Sequence, residues 1–243
     1  MLAGSAVPLD LPDIAVVYVQ FCAITALSAD LGGWLLLNGG LDRDGIAVAM
    51  ASNVAGAASL GIESDPVRAK LALRAGVCDF LVNNLDEALR ILKNEIRKRR
   101  AVSVVLTGEA DLAVGDMVAR GVQPEILTFP VPELTERGAL LLAPDVEDAR
   151  TAVTWSVEGE PARWLSALDA LATAALRPPD ARVRWLQVGP RYLGRAFAGR
   201  RFLRMTDEEA NEFSMSIRAA LQTGAIPVAV SLTRNGGKIS LIP

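Results

Sequence analysis

Apolar residues along this chain fall into runs of two lengths, and the alternation of those runs carries the first inference. Ile14 to Ala29 is apolar on nearly every turn and predicts a buried helix. Trp34–Asn38 is short, apolar and closed by Gly39-Gly40, the length of a buried strand. An alanine-rich helix over Ile46–Ser59 and a second strand at Leu60–Glu63 follow. Asp65 before Pro66 predicts an N-cap and first helical residue, and Gly76 ends that helix after Ala75. Phe80–Val82 reads as a strand, and Asn84 caps a helix with Leu85, Ala88, Leu89, Leu92 and Ile96 on one face. Val102–Leu106 is a β-branched strand, a helix runs from Thr107-Gly108 through Arg120, and Ile126–Thr128 is another strand. Strands separated by helices over residues 34–128 predict a parallel sheet with right-handed crossovers.

The pattern changes at residue 129. Prolines 130, 132, 144 and 161, together with several acids, predict a loop-rich stretch over 129–160. Pro161–Leu176 then reads as a helix ended by Pro178-Pro179, Val183–Val188 as a strand, and Gly189-Pro190 as a turn. Thr206 and Glu209 form a capping-box signature for a helix reaching about Thr223. Ile226–Leu232 reads as a strand, and Asn235-Gly236-Gly237 as a hairpin turn into Lys238–Ile242. The expected fold class is α/β: a Rossmann-like, mostly parallel sheet with helices on both faces, plus a C-terminal α/β segment ending in a hairpin. The organisation expected is one unit over 1–243, with a core at 30–128, a loop-rich segment at 129–160 and completing elements at 161–243.

Composition narrows the chemistry. The chain has 243 residues, is 51% hydrophobic and carries a formal charge of −3, so nothing in the whole-chain charge favours nucleic acid. It contains no histidine, which removes imidazole bases, histidine-ligated zinc and every Ser-His or Cys-His pair. Two cysteines, Cys22 and Cys78, sit in apolar contexts and read as core thiols in a reduced, cytoplasmic setting. "MLAGSAVPLDLPD" lacks the layout of a signal peptide, and the apolar run at 14–27 is too short for a membrane span. No metal site and no membrane partner are expected.

The candidate chemistry lies at one strand-to-helix junction. Gly40 and Gly45 bracket Leu41-Asp42-Arg43-Asp44, where a dinucleotide-binding protein places bare backbone under a pyrophosphate. Here two carboxylates stand at the helix start, satisfy its dipole and repel a diphosphate; Arg43 can offset one of them. Glu63 ends the second strand, where a ribose hydroxyl would be held, and Arg68 follows five residues on. The plainer reading of this pair is a helix-terminal acid and a surface arginine. Glu109 and Asp111 also follow a strand, and read as N-terminal acids of their helix. Lys93 and Arg97–Arg100 form a solvated helix end, and seven arginines between Arg182 and Arg204 are expected to pair with the acids of 145–160.

Several stretches taken in order resemble the urocanase (urocanate hydratase) family. They are "DLGGWLLLNGGL", "AGAASLGIESDPVRAKLALRAGVCDFLVNNLDEAL", "VVLTGEADLAVGDMVARGVQPEILT", "ARVRWLQVGPRYLGRAFA" and "LQTGAIPVAVSLTRN", spread over most of residues 30–235. The resemblance implies an NAD-binding Rossmann-like domain in a hydro-lyase that uses tightly bound NAD as an electrophile. Family members are longer chains, so it also implies a shortened relative. Carried over by position, it marks Gly40, Gly45, Glu63, Arg68 and Thr128 as vestigial cofactor contacts.

The departures from the family are specific. The family's glycine loop has the form G-L-G-G-M-G-G, and only its outer glycines remain in Gly40-Leu-Asp-Arg-Asp-Gly45. A polar T-D-Q-T-S-A-H-D-P stretch is represented by Thr128-Phe-Pro-Val-Pro-Glu-Leu-Thr-Glu136, which keeps only the threonine. The catalytic cysteine preceding an arginine-tryptophan pair has no counterpart before Trp155. The expectation is therefore a binding module for a small molecule or a protein partner, with no catalytic residues and no NAD. The rival expectation is an NAD-dependent urocanate hydratase-type enzyme, alone or with a partner chain that completes the site. A homodimer is compatible with the sequence and not fixed by it.

Overall fold

The computed structural model describes residues 9–143, 148–177, 180–194 and 199–242. Its contacts divide into two compact units, residues 1–146 and 147–243, with the boundary inside the stretch read as loop-rich. The expected end of the Pro161 helix at Pro178-Pro179 lies outside the described residues.

The first unit begins with α1 (Ile14–Leu27), β1 (Leu35–Asn38), α2 (Arg43–Ala55) and β2 (Ala58–Glu63). It continues with α3 (Pro66–Arg74), β3 (Phe80–Val82), α4 (Leu85–Arg97), β4 (Val102–Thr107), α5 (Ala110–Ala119), β5 (Ile126–Leu127), α6 (Pro132–Glu136) and β6 (Leu140–Leu141). The six strands form one sheet in the order β3-β4-β2-β1-β5-β6, and every pairing is parallel. The expected α/β architecture is present. Alternate strand residues Leu35, Leu37, Leu60, Ile62, Val104 and Leu106 join α4 and α5 in one core. On the opposite face α2 lies over β1, β2 and β4, and α1 packs on α2. With sheet on one side and a helix on the other, α2 is buried at every position from Gly45 to Ala55. That burial explains its alanines: larger side chains would hold three layers apart.

Sheet order sets the ligand geometry. Chain order reverses direction at β1, whose neighbours are β2 on one side and β5 on the other. In open α/β sheets that switch point opens a crevice beyond the carboxyl ends of the two strands.

One boundary differs from expectation in a way that matters. α2 starts at Arg43 rather than Ile46, because the Asp42 carboxylate accepts from the Gly45 N–H at 2.8 Å and caps the helix a turn early. It ends at Gly56, whose φ of 101° closes the helix and releases Ala58 into β2.

The second unit holds β7 (Thr151–Val157), α7 (Pro161–Ala175), α8 (Ala181–Tyr192), β8 (Arg200–Met205), α9 (Asp207–Gln222), β9 (Val230–Arg234) and β10 (Gly237–Leu241). Its sheet is antiparallel, in the order β10-β9-β7-β8. The capping box appears as read: Thr206 Oγ1 accepts from Glu209 N–H, and Glu209 accepts from Thr206 N–H. The hairpin is also present. Asn235 (φ 47°) and Gly236 (φ 80°) are both left-handed, as a two-residue turn in a right-twisted ribbon requires.

Three readings of this region are corrected. The strand expected at Val183–Val188 is the helix α8; Arg182, Trp185, Leu186 and Gly189 are its buried residues, at helical spacing, and Asp180 caps it. The stretch read as loop-rich contains the seven-residue strand β7, which occupies the middle of the antiparallel sheet. The strand expected from Ile226 starts only at Val230, since Pro227 cannot donate to a ladder.

Candidate functional site

β1 delivers Asn38 to the crevice, and Asn38 organises the loop that follows. Its Nδ2 donates to both Gly40 O and Gly45 O at 2.9 Å, drawing the two glycines together. Its Oδ1 accepts from the Thr128 hydroxyl at 3.1 Å, and Thr128 Oγ1 accepts from Gly39 N–H at 3.4 Å. Thr128 follows β5, so one side-chain chain of hydrogen bonds ties the two strands flanking the switch point. Asn38 is 3% exposed, so these bonds have little competition from water.

Gly45 is required by this closure. A Cβ there would stand 2.1 Å from Gly40 O, 2.9 Å from Gly40 C and 3.1 Å from Asn38 Nδ2. Gly40, by contrast, has open space around it. The two glycines kept from the family pattern thus serve different ends: one allows backbone to touch backbone, and the other is merely uncovered.

Glu63 anchors the far side of the loop. Its carboxylate, 3% exposed, accepts from Leu41 N–H and from Asp65 N–H, each at 2.9 Å. Arg68 Nη1 lies 3.6 Å from Glu63 Oε2. An acid at the end of the second strand is where a ribose would be recognised. Here its two oxygens hold the glycine loop and the α3 N-terminus, with an arginine over them.

Two cavities flank the loop within this unit, one of about 610 Å³ and one of about 580 Å³. The larger lies over Asn38, Gly39, Gly40, Thr128 and Phe129, at the switch point; the smaller lies toward α3, beside Leu41, Arg43 and Arg68. Asp42 borders both. A dinucleotide across such a crevice sets one nucleoside on each side and its diphosphate at the α2 N-terminus between them. At that point the Asp42 carboxylate already holds the Gly45 N–H, and Asp44 adds a second acid in the first turn. A phosphate oxygen could reach that amide only by displacing Asp42 against two negative charges. As the residues stand, they do not fit a diphosphate.

The five residues singled out in the sequence are brought into one continuous network: Gly40, Gly45 and Thr128 through Asn38, and Glu63 with Arg68 through the Leu41 amide. Sequence reasoning passed over Asn38, Gln20 and Phe129, and set the strand-end ligand position of Asp111 below its role as a helix N-terminal acid. Asp111 lies in the first turn of α5 as expected, yet it also lines the larger cavity. Gln20 reaches that cavity from α1. An amide side chain inside the apolar run at 14–27 was the available signal.

The remaining candidates are structural. Cys78 is buried; burial first, and then the Asp79 charge, push its thiol up to about 12. Cys22 is half-buried on α1. Trp155 donates from Nε1 to Asp169 Oδ1 at 3.3 Å, and Asp169 also accepts from Arg201 Nε at 2.8 Å. Among the described residues, Arg182 pairs with Glu209 and Asp180 and Arg201 with Asp169, outside 145–160, while Arg204 Nη1 donates to the Asp148 carbonyl; Asp145 and Glu147, two of the acids expected as partners, lie outside the described residues. Among the described residues no three acid or thiol groups converge to hold a metal ion. Among them, too, no helix is long and apolar enough to cross a membrane.

The parallel sheet, its switch-point crevice and the strand-to-helix glycine loop define an open α/β domain of the Rossmann-like class. Within that class, residues 17–130 match the family model described as the Urocanase Rossmann-like domain. Over that stretch the chain is similar to the Rossmann-like domain of the urocanases.

Proposed function

We propose that the urocanase-like unit acts as a small-ligand binding module without urocanate hydratase activity, and that its ligand occupies the switch-point crevice. The observation that carries this reading is the Asp42 carboxylate on the Gly45 N–H, with Asp44 beside it, at the helix end a diphosphate would need. Support comes from the Glu63 oxygens, which are engaged by backbone, and from the lack of any histidine in the chain. The crevice itself is kept: its volume of about 610 Å³ is ordinary for a small-molecule site.

The second reading is an NAD-dependent hydro-lyase of the urocanate hydratase type, alone or with a chain that completes its site. It draws on the family match over residues 17–130 and on Glu63 and Arg68 at the ribose position. Calorimetric titration with NAD, followed by urocanate absorbance in its presence, separates the two. The module reading expects no NAD heat at submillimolar concentration and no turnover. Binding in that range, or any loss of urocanate, would replace it with the enzyme reading.

A further inference from the structure

We infer that the switch-point crevice selects an organic cation: a small amine carrying an aryl or alkyl body. This rests on the small-ligand reading above and adds the chemical class of the ligand. Three carboxylates line the larger cavity, Asp42 and Asp44 from the start of α2 and Asp111 from the start of α5. Among the described residues neither arginine nor lysine lines it; Arg43 borders the cavity on the other side of the loop. Among the described residues none of the three aspartates carries an ion pair. Two helix N-termini face the same space, and each contributes roughly half a positive charge. Against three carboxylates, the balance remains negative.

A second observation comes from the opposite wall. Gln20 is 8% exposed and lines this cavity, and its Oε1 is buried with no hydrogen-bond donor among the described residues. A buried acceptor without a donor is costly unless a ligand supplies one. An ammonium or amidinium group carries N–H donors and positive charge together, and so answers the acids and, once the Gln20 amide turns toward the cavity, its oxygen as well. Phe129 and Val48 add apolar surface for the body of the ligand. No three of the acids converge as metal ligands do, so the geometry calls for a larger, softer cation than a metal ion.

Three probes sharing one phenylethyl body test the inference: phenethylamine, 2-phenylethanol and 3-phenylpropanoate. Binding to the full chain is followed by calorimetry and by ¹H–¹⁵N shifts of the Gly39 and Gly40 amides and the Gln20 side-chain amide. The amine should move these resonances and bind on the order of tenfold or more tighter than the carboxylate. Added salt should narrow that difference. The double variant Asp44→Asn/Asp111→Asn alters exposed residues only and should abolish the preference, while Gln20→Leu should weaken the amine alone. Equal or tighter binding of 3-phenylpropanoate at the same resonances overturns the inference and leaves the small-ligand reading intact. If none of the three moves them, the inference also falls. A fragment set spanning all charge classes then decides the small-ligand reading separately, which fails when no fragment moves those resonances.

Discussion

Replacing Gly45 with alanine tests whether this glycine is kept for chain packing or for a ligand. The new methyl carbon would lie 2.1 Å from the Gly40 carbonyl oxygen, where ordinary contact begins at 3.4 Å. Gly40 or the first turn of α2 must therefore retreat by more than an ångström. That movement strains the two Asn38 hydrogen bonds to Gly40 O and Gly45 O and the Asp42 cap on Gly45 N–H. Overpacking of this kind costs about 1–3 kcal/mol, and each weakened buried bond about 1 kcal/mol more. Better helix propensity returns up to about 1 kcal/mol. The expected net loss is about 3–6 kcal/mol, read as a lower urea midpoint at unchanged slope. Gly40→Ala is the control: its Cβ meets nothing within 4 Å, so the stability should stay within about 0.5 kcal/mol of the parent. A stable Gly45→Ala protein, or equal losses in the two variants, would refute the packing account.

Three further outcomes are expected. Glu63→Gln replaces an acceptor-only carboxylate that holds two backbone N–H groups, and should cost about 1–3 kcal/mol in urea unfolding; an unchanged midpoint would remove Glu63 as the loop anchor. Hydrogen bonding from Arg182 outweighs burial and holds the Glu209 carboxyl down at about 2, against an ordinary 4.5. A depressed acid contributes stability above its unfolded value and loses it as pH falls. This pair should therefore contribute about 3 kcal/mol above pH 4.5 and lose it toward pH 2, and a thermal-melt series should show a flatter acid limb for Glu209→Gln. Finally, a thiol reagent at neutral pH should label half-buried Cys22 in the folded protein and reach Cys78 only after unfolding; equal rates would contradict the buried setting of Cys78.

Much of the parallel unit was legible because its elements are punctuated by residues with single physical uses. Asp65-Pro66, Asn84 and Gly76 mark helix ends through capping and left-handed backbone, and all three act as read. The second unit was less legible because its buried residues include charges. Arg182 and Arg201 are buried against Glu209, Asp180 and Asp169, which are distant partners or lie across a cap. A local reading sees an arginine-rich surface there, and the strand β8 at Arg200–Met205 passes unnoticed within it. The same limit applies at the crevice. The loop's carboxylates were visible in the sequence, but Asn38 gains its meaning from a threonine 90 residues away. Gln20 gains its own from a cavity that only the folded sheet creates.

The Asp42 cap makes the α2 terminus a site already filled by a tethered competitor. A free phosphate or nucleotide surrenders translational freedom when it docks, whereas this carboxylate is attached two bonds from the backbone and surrenders almost none. Any incoming anion must first evict a rival that never diffuses away. Opening this helix end to a phosphate would thus take more than adding glycines: the resident acid would have to leave as well.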